Sequence, residues 1–175
     1  MPSPVGHGLA GLTVHVLASA DRSELRSPGR IAVAVGAALV PDVDLLFRFV
    51  DGRNHHDCET HSVGFALTAA LATIIVARAA QRTRPLTLGL AAGCGWLSHL
   101  VLDYLNVDTS PPIGIMAFWP LSHTFYKFPW PLFLDIGRTL TWATVRHDAL
   151  AAAWEAAILT PLLFVAWWLR HFERH

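Results

Sequence analysis

The sequence predicts an all-α protein, a multi-pass membrane helical bundle with a metal site at one end, and three observations predict it. Of the 175 residues, 53% are hydrophobic and only 15% charged, with a mean hydropathy of +0.41, against roughly one-quarter charged in an average soluble domain. Five apolar stretches, at residues 5–20, 31–50, 62–77, 85–102 and 149–169, have lengths near the roughly 17 to 25 residues that a membrane-crossing helix needs. Ten histidines stand in this oily chain, although imidazole suits neither a lipid-facing surface nor an ordinary core.

Helix is preferred to strand because the runs are long, rich in Ala and Leu and free of polar alternation, and because lipid tolerates only helices or closed barrels. The first stretch carries His7 and His15. The second is interrupted at Pro41-Asp42-Val43-Asp44, while the third, fourth and fifth run unbroken and are the firmest spans. Ala18-Ser19-Ala20 has the small-residue pattern of a signal cleavage site, but no Lys or Arg precedes Arg22, so the first stretch reads as a retained helix. Between Tyr104 and His147 five prolines lie among Phe118, Trp119, Phe125, Tyr126, Phe128, Trp130 and Phe133. Rings at this density suit a membrane–water boundary or a Pro-rich loop packed on its own aromatics. Residues 1–175 read as one domain.

Charge narrows the function. Thirteen Lys and Arg balance thirteen Asp and Glu, which leaves no basic excess for nucleic-acid binding. Cys58 and Cys94 form no CxxC, so any metal site is built from nitrogen and oxygen. Arg22, Arg26 and Arg30, then Arg78, Arg82 and Arg84, then Arg170 and Arg174 follow alternate stretches. By the positive-inside rule these segments are cytoplasmic. His7, Asp42, Asp44, His55, His56, His61, His99 and Asp103 then share the extracytoplasmic face.

Ionisable groups at spanning segments are costly and imply a partner, and the natural partner here is a divalent cation. His99 and Asp103 are four apart, on one helix face, and either bind a metal or merely satisfy each other. In Pro41-Asp42-Val43-Asp44 two carboxylates at spacing two do not share a face, so one is a ligand and the other a cap or an orienter of a ligand. In His56-Asp57-Cys58-Glu59-Thr60-His61-Ser62, the residues Asp57 and Glu59, with His55 before them, read as solvated loop. Gly6-His7-Gly8-Leu9-Ala10-Gly11 fits GxGxxG, but no strand precedes it; those glycines, and Gly89 with Gly93, read as helix-packing positions. His15 and His147 have no obvious carboxylate partner and read as structural; His123 remains a candidate on the same side, and His171 and His175 belong to a fraying terminus.

His7-Gly8-Leu9-Ala10-Gly11, Val40-Pro41-Asp42-Val43-Asp44, His56 with Thr60-His61-Ser62, Ser98-His99-Leu100-Val101-Leu102-Asp103 and Trp119-Pro120-Leu121-Ser122 occur in the order of the YdjM-type membrane-bound metal-dependent hydrolases, described as LexA-binding and inner-membrane-associated. The resemblance covers about residues 5–125. That family in turn resembles the zinc-dependent phospholipase C and P1 nuclease group, all-helical enzymes that cleave phosphate esters. The resemblance implies that Asp42, His61, His99 and Asp103 surround one metal, with Asp103 bridging to a second ion shared with His7. Two departures stand out. Asp57 and Cys58 occupy positions where the YdjM-type loop usually carries Arg and Gly, which removes a cationic phosphate contact, and no downstream HxxxE pair offers a third zinc site.

Imidazole and carboxylate ligands suit Zn²⁺ and accept Mn²⁺ or Fe²⁺. One or two such ions supply a hydroxide nucleophile near neutral pH without a Ser or Cys, and attract an anionic ester such as a phospholipid. Asp44 or His56 is placed to orient a ligand or move a proton. The expected function is a phosphodiesterase-like or phospholipase-like hydrolase at the lipid bilayer. Its rivals are a noncatalytic membrane protein that uses metal as a staple and binds a partner, and a metal or proton transporter, which needs more polar groups across the membrane than Glu155 alone provides.

Overall fold

The computed structural model describes residues 1–172 and is mostly helical, with no strand among the described residues. Helix α1 (Pro4–Ala18) starts from Ser3, whose hydroxyl accepts from the Gly6 N–H at 3.3 Å, with Pro4 in the first turn where its missing N–H costs nothing. A one-turn helix α2 (Arg22–Leu25), capped by Asp21, leads into α3 (Pro28–Leu39). There the second apolar stretch breaks at Pro41, where the sequence interrupts it. Pro41 cannot donate and crowds the preceding turn, so after Leu39 the chain tightens into a 3₁₀ helix, Val40–Leu46, then one turn, α4 (Arg48–Asp51), closed by Gly52 at φ 75°.

Helix α5 (Val63–Ala79) is capped by Ser62, α6 runs Pro85–Tyr104, and α7 runs Trp142–Phe172 with Pro161 inside it. Among the described residues, only α6 and α7 are both long and apolar enough to cross a membrane by length and composition; α5, at 17 residues, is a shorter apolar helix. At about 1.5 Å per residue, the 15 residues of α1 and the 12 of α3 rise roughly 22 Å and 18 Å. The long connection before α7 packs on its own rings and on the helices. Phe118 stacks edge-on to Tyr126, Trp119 lies against Phe65, and Phe133 is buried with Ala10, Leu102 and Leu159.

Helix α6 is central, touching α1, α3 and α5. Gly89 and Gly93 face Ile74, Ala70 and Ala66 of α5, in line with their packing role. A Cβ on Gly95 would lie 2.5 Å from the Ala34 carbonyl oxygen of α3, so only glycine permits this approach. Helix α7 packs on α1 through Ala151, Glu155, Leu159 and Ala166, and leaves Leu162, Phe164, Val165 and Trp168 exposed. Leu67, Leu71 and Ile75 of α5 are exposed too, giving the apolar exterior a bilayer requires.

Arg30, Arg84 and Arg170 gather at one end. Arg30 pairs with Glu24 and donates to Thr87, Arg84 pairs with Asp21 and Glu24, and Arg170 donates to the Leu17 carbonyl. His7 and His99 lie toward the opposite ends of α1 and α6.

Gly95 stands one turn before His99. We expect Gly95→Ala to push α3 off α6 and to lower stability by about 1–3 kcal/mol, read as a fall in melting temperature in detergent; unchanged melting would refute the close contact.

Candidate metal centre

Four segments deliver the polar residues to one buried point. His7 comes from the second turn of α1, Asp42 and Asp44 from the 3₁₀ helix, His56, Asp57 and His61 from the loop ahead of α5, and His99 and Asp103 from the last turns of α6. His7, His61 and His99 are fully enclosed, and Asp44, His56, Asp57 and Asp103 are buried. The α6 spacing of four sets His99 Nε2 2.8 Å from Asp103 Oδ2. The His7 ring stacks on His99 with centroids 3.9 Å apart, and its Nε2 lies 3.7 Å from the other Asp103 oxygen.

Hydrogen bonds on the outer side of the cluster set the ring orientations. His99 Nδ1 lies 2.8 Å from the Ala38 carbonyl, which can only accept, so Nδ1 carries the hydrogen. His56 Nδ1 likewise donates to Asp44 Oδ1 at 3.0 Å. The Thr60 hydroxyl gives its hydrogen to Asp44 Oδ2 at 2.8 Å. His61 Nδ1, 3.0 Å from that oxygen and 3.1 Å from Thr60 Oγ1, is therefore a donor as well. With Nδ1 engaged on the outer side, all three rings turn Nε2 inward, the atom each would offer a cation in its neutral form. His61 Nε2 and His99 Nε2 face each other at 3.0 Å, and both lie within 4 Å of Asp103 Oδ2 and Asp42 Oδ1.

Acceptors do not converge in a dry interior without a cation. His7 Nδ1 and Nε2, Asp42 Oδ1, His56 Nε2 and both Asp103 oxygens are buried without a well-formed hydrogen bond. Burial alone would lower the proton affinity of His61, yet Asp103, Asp42 and Asp44 outweigh it and hold His61 well above its ordinary range. The pocket is thus strongly cation-seeking. Three sets of ligand atoms lie within 4.8 Å of one another: His7, His99 and Asp103; Asp42, His56 and His61; and Asp57, His61 and Asp103. Asp103 and His61 each belong to two of them.

His7, Asp42, His61, His99 and Asp103 are therefore brought together around one point. Asp44 and His56 take different places there. Both Asp44 oxygens accept from neighbouring side chains, which makes it an orienter of His56 and His61, whereas His56 keeps a free Nε2 facing inward.

Asp57 does not lie in solvated loop. It is buried at φ 65°, with Oδ1 3.5 Å from His56 Nε2 and 3.7 Å from His61 Nε2, and burial pushes its carboxyl up to about 6. Its spacing of four from His61 was the available signal, obscured by a polar loop with no helical periodicity. Glu59 is exposed and His55 pairs with Asp51 at the rim. His147 does have a carboxylate neighbour, Asp135 at 3.3 Å, because the loop before α7 folds back onto it. His15 binds the Leu25 carbonyl, and His123 is exposed and outside the cluster. His171 stacks on Trp167, while His175 lies outside the described residues.

Asp44→Asn retains the shape but turns an NH₂ group toward a ring N–H. We expect metal affinity to fall roughly 10- to 100-fold, measured by competition with a chelator; wild-type affinity would show that ring orientation does not depend on Asp44.

The sequence model described as YdjM inner membrane protein matches residues 1–173. No curated protein and no solved structure matches.

Proposed function

The chain belongs to the YdjM inner membrane protein family, and from that premise we propose that its His/Asp cluster is the metal centre of a multi-pass, membrane-bound hydrolase acting on a phosphoester, phospholipids included. The observation that carries this reading is the inward convergence of the His56, His61 and His99 Nε2 lone pairs on the Asp42, Asp57 and Asp103 carboxylates. Nitrogen and oxygen donors of this kind fit zinc, with Mn²⁺ or Fe²⁺ as substitutes.

His7, His99 and Asp103 would hold one ion, and His61 with Asp42, His56 or Asp57 a second, Asp103 standing between them. A divalent ion so held supplies Lewis acidity toward an ester oxygen and lowers the pKa of water toward neutrality. The chain's own part is orientation and proton handling. Asp44 and the Ala38 carbonyl fix the imidazole tautomers, as outer partners of metal-binding histidines do. If Asp42 and His56 rather than Asp57 complete the second set, the Asp57 carboxylate, 3.5 Å from His56 Nε2 and 3.7 Å from His61 Nε2, is placed to take a proton from water or return one to a leaving group.

Kinship of fold with phospholipase C and P1 nuclease is part of the same proposal, as is the extracytoplasmic position of the cluster, which the arginine-rich opposite end supports. Metal analysis of purified protein, paired with a phosphodiesterase assay, tests the reading; protein that takes up no stoichiometric zinc, manganese or iron would overturn it. A reporter fused after residue 174 is expected to read cytoplasmic, and an external reading would reverse the orientation.

A further inference from the structure

A polar cleft of about 240 Å³ opens beside the cluster, with His56 and Asp57 in its lining and Asn54, Thr109, Ser110 and Arg138 among its other residues. That volume falls just below the roughly 300 to 1,000 Å³ of typical small-molecule sites. It admits a headgroup-sized polar moiety rather than an acyl chain.

The charged residues of the cleft differ in their commitments. Asp108 accepts from the Ser110 and Gly114 N–H groups at 3.1 and 2.6 Å, so both of its oxygens serve the turn. Asp135 lies 3.3 Å from His147. Arg138 alone of the cleft's charged side chains is exposed with no hydrogen bond or ion pair among the described residues. Its backbone is nevertheless fixed. The neighbouring Gly137 N–H donates to Asp148 of α7 at 2.8 Å, and the Asp135 carbonyl accepts from His147 at 3.0 Å. An anchored loop thus presents an unpaired guanidinium on the wall of a cleft that also contains His56 and Asp57.

We propose that Arg138 binds the anionic phosphate group of the substrate and seats it against the His56–Asp57 side of the cluster, a role that rests on the metal-centre reading for its catalytic consequence but not for binding. The planar guanidinium matches a phosphate's paired oxygens, which an ammonium cannot do in the same way. Asn54, Thr109 and Ser110 add polar groups in the same lining.

The test measures three quantities on wild type, Arg138→Gln and Arg138→Lys: metal content, inorganic phosphate affinity, and KM with kcat. Substrates are a soluble p-nitrophenyl phosphodiester and vesicles of phosphatidylglycerol in phosphatidylcholine. Arg138 is exposed, so all three proteins are expected to fold and to hold equal metal. For Arg138→Gln we expect phosphate affinity to fall at least tenfold and KM to rise by a similar factor with kcat changed less, and for Arg138→Lys a partial recovery. A KM rise confined to the soluble ester or to the vesicles names the source of the phosphate, and a rise with both keeps the shared chemistry; each supports the proposal. Equal phosphate affinity in wild type and Arg138→Gln, or no phosphate binding by wild type, overturns it. Wild type that takes up no stoichiometric metal yet binds phosphate through Arg138 would overturn the hydrolase reading while leaving this one standing.

Discussion

Asp103→Asn is expected to yield a folded protein stripped of metal and inactive. Asp103 is shared by two of the three ligand groups, and its oxygens lie 2.8 Å from His99, 3.3 Å from His61 and 3.7 Å from His7. The amide keeps the volume but cannot carry the negative charge that offsets a divalent ion, and its NH₂ group faces ring nitrogens that a cation would need. The loss should exceed the roughly 10- to 100-fold that outer-partner changes cost in metal affinity or activity. His99→Ala removes one ligand of the first group only and is expected to leave part of the metal bound. Elemental analysis of the three proteins, purified side by side, checks both expectations. If Asp103→Asn carries as much metal as wild type, Asp103 is not an essential ligand and the metal centre as described is wrong.

The second large effect concerns stability. Glu155 is fully buried on α7, and its carboxyl accepts from the Ser3 N–H at 2.8 Å, from the Ser3 hydroxyl and from the Gly6 N–H at 3.1 Å. One side chain of the last helix thereby caps the start of the first, the segment that places His7. Glu155→Ala leaves those donors buried without an acceptor and opens a void, costing about 3–5 kcal/mol, or on the order of 10 °C in melting temperature for a chain of this length. Glu155→Gln keeps one acceptor oxygen and is expected to lie between. Thermal unfolding in detergent measures this; an alanine variant as stable as wild type would mean that α1 does not depend on the contact. Glu155 stood out in the sequence as an acid in a lipid-length helix, too little by itself for a transporter. Its three hydrogen bonds to α1 give it a local structural task.

The helices were legible where composition alone decides. Residues 85–102 and 149–169 lie inside α6 and α7, and α7 starts earlier only because Trp142–Asp148 continues the helix in polar sequence that hydropathy overlooks. The break in the 31–50 stretch was legible at Pro41, but the 3₁₀ helix and the one-turn α4 beyond it were not, since hydropathy carries no backbone geometry. For the site, the residues conspicuous in oily surroundings, His7, His99 and Asp103, could be selected by rarity. Asp57 could not, because its burial follows from a left-handed turn and from the Met116 N–H that binds its carbonyl at 2.9 Å. Arg138 was equally hidden, since nothing in the order of residues says that the loop before α7 returns to the loop before α5.

The brevity of α3 has a consequence for the surrounding lipid. Its 12 residues cover about 18 Å, against roughly 30 Å of hydrocarbon in an ordinary bilayer. Such mismatch is relieved by thinning the leaflet around the short element. In the membrane-embedded bundle proposed above, the glycerol region of lipids along that flank would lie nearer the 3₁₀ helix that carries Asp42 than beside a full-length span.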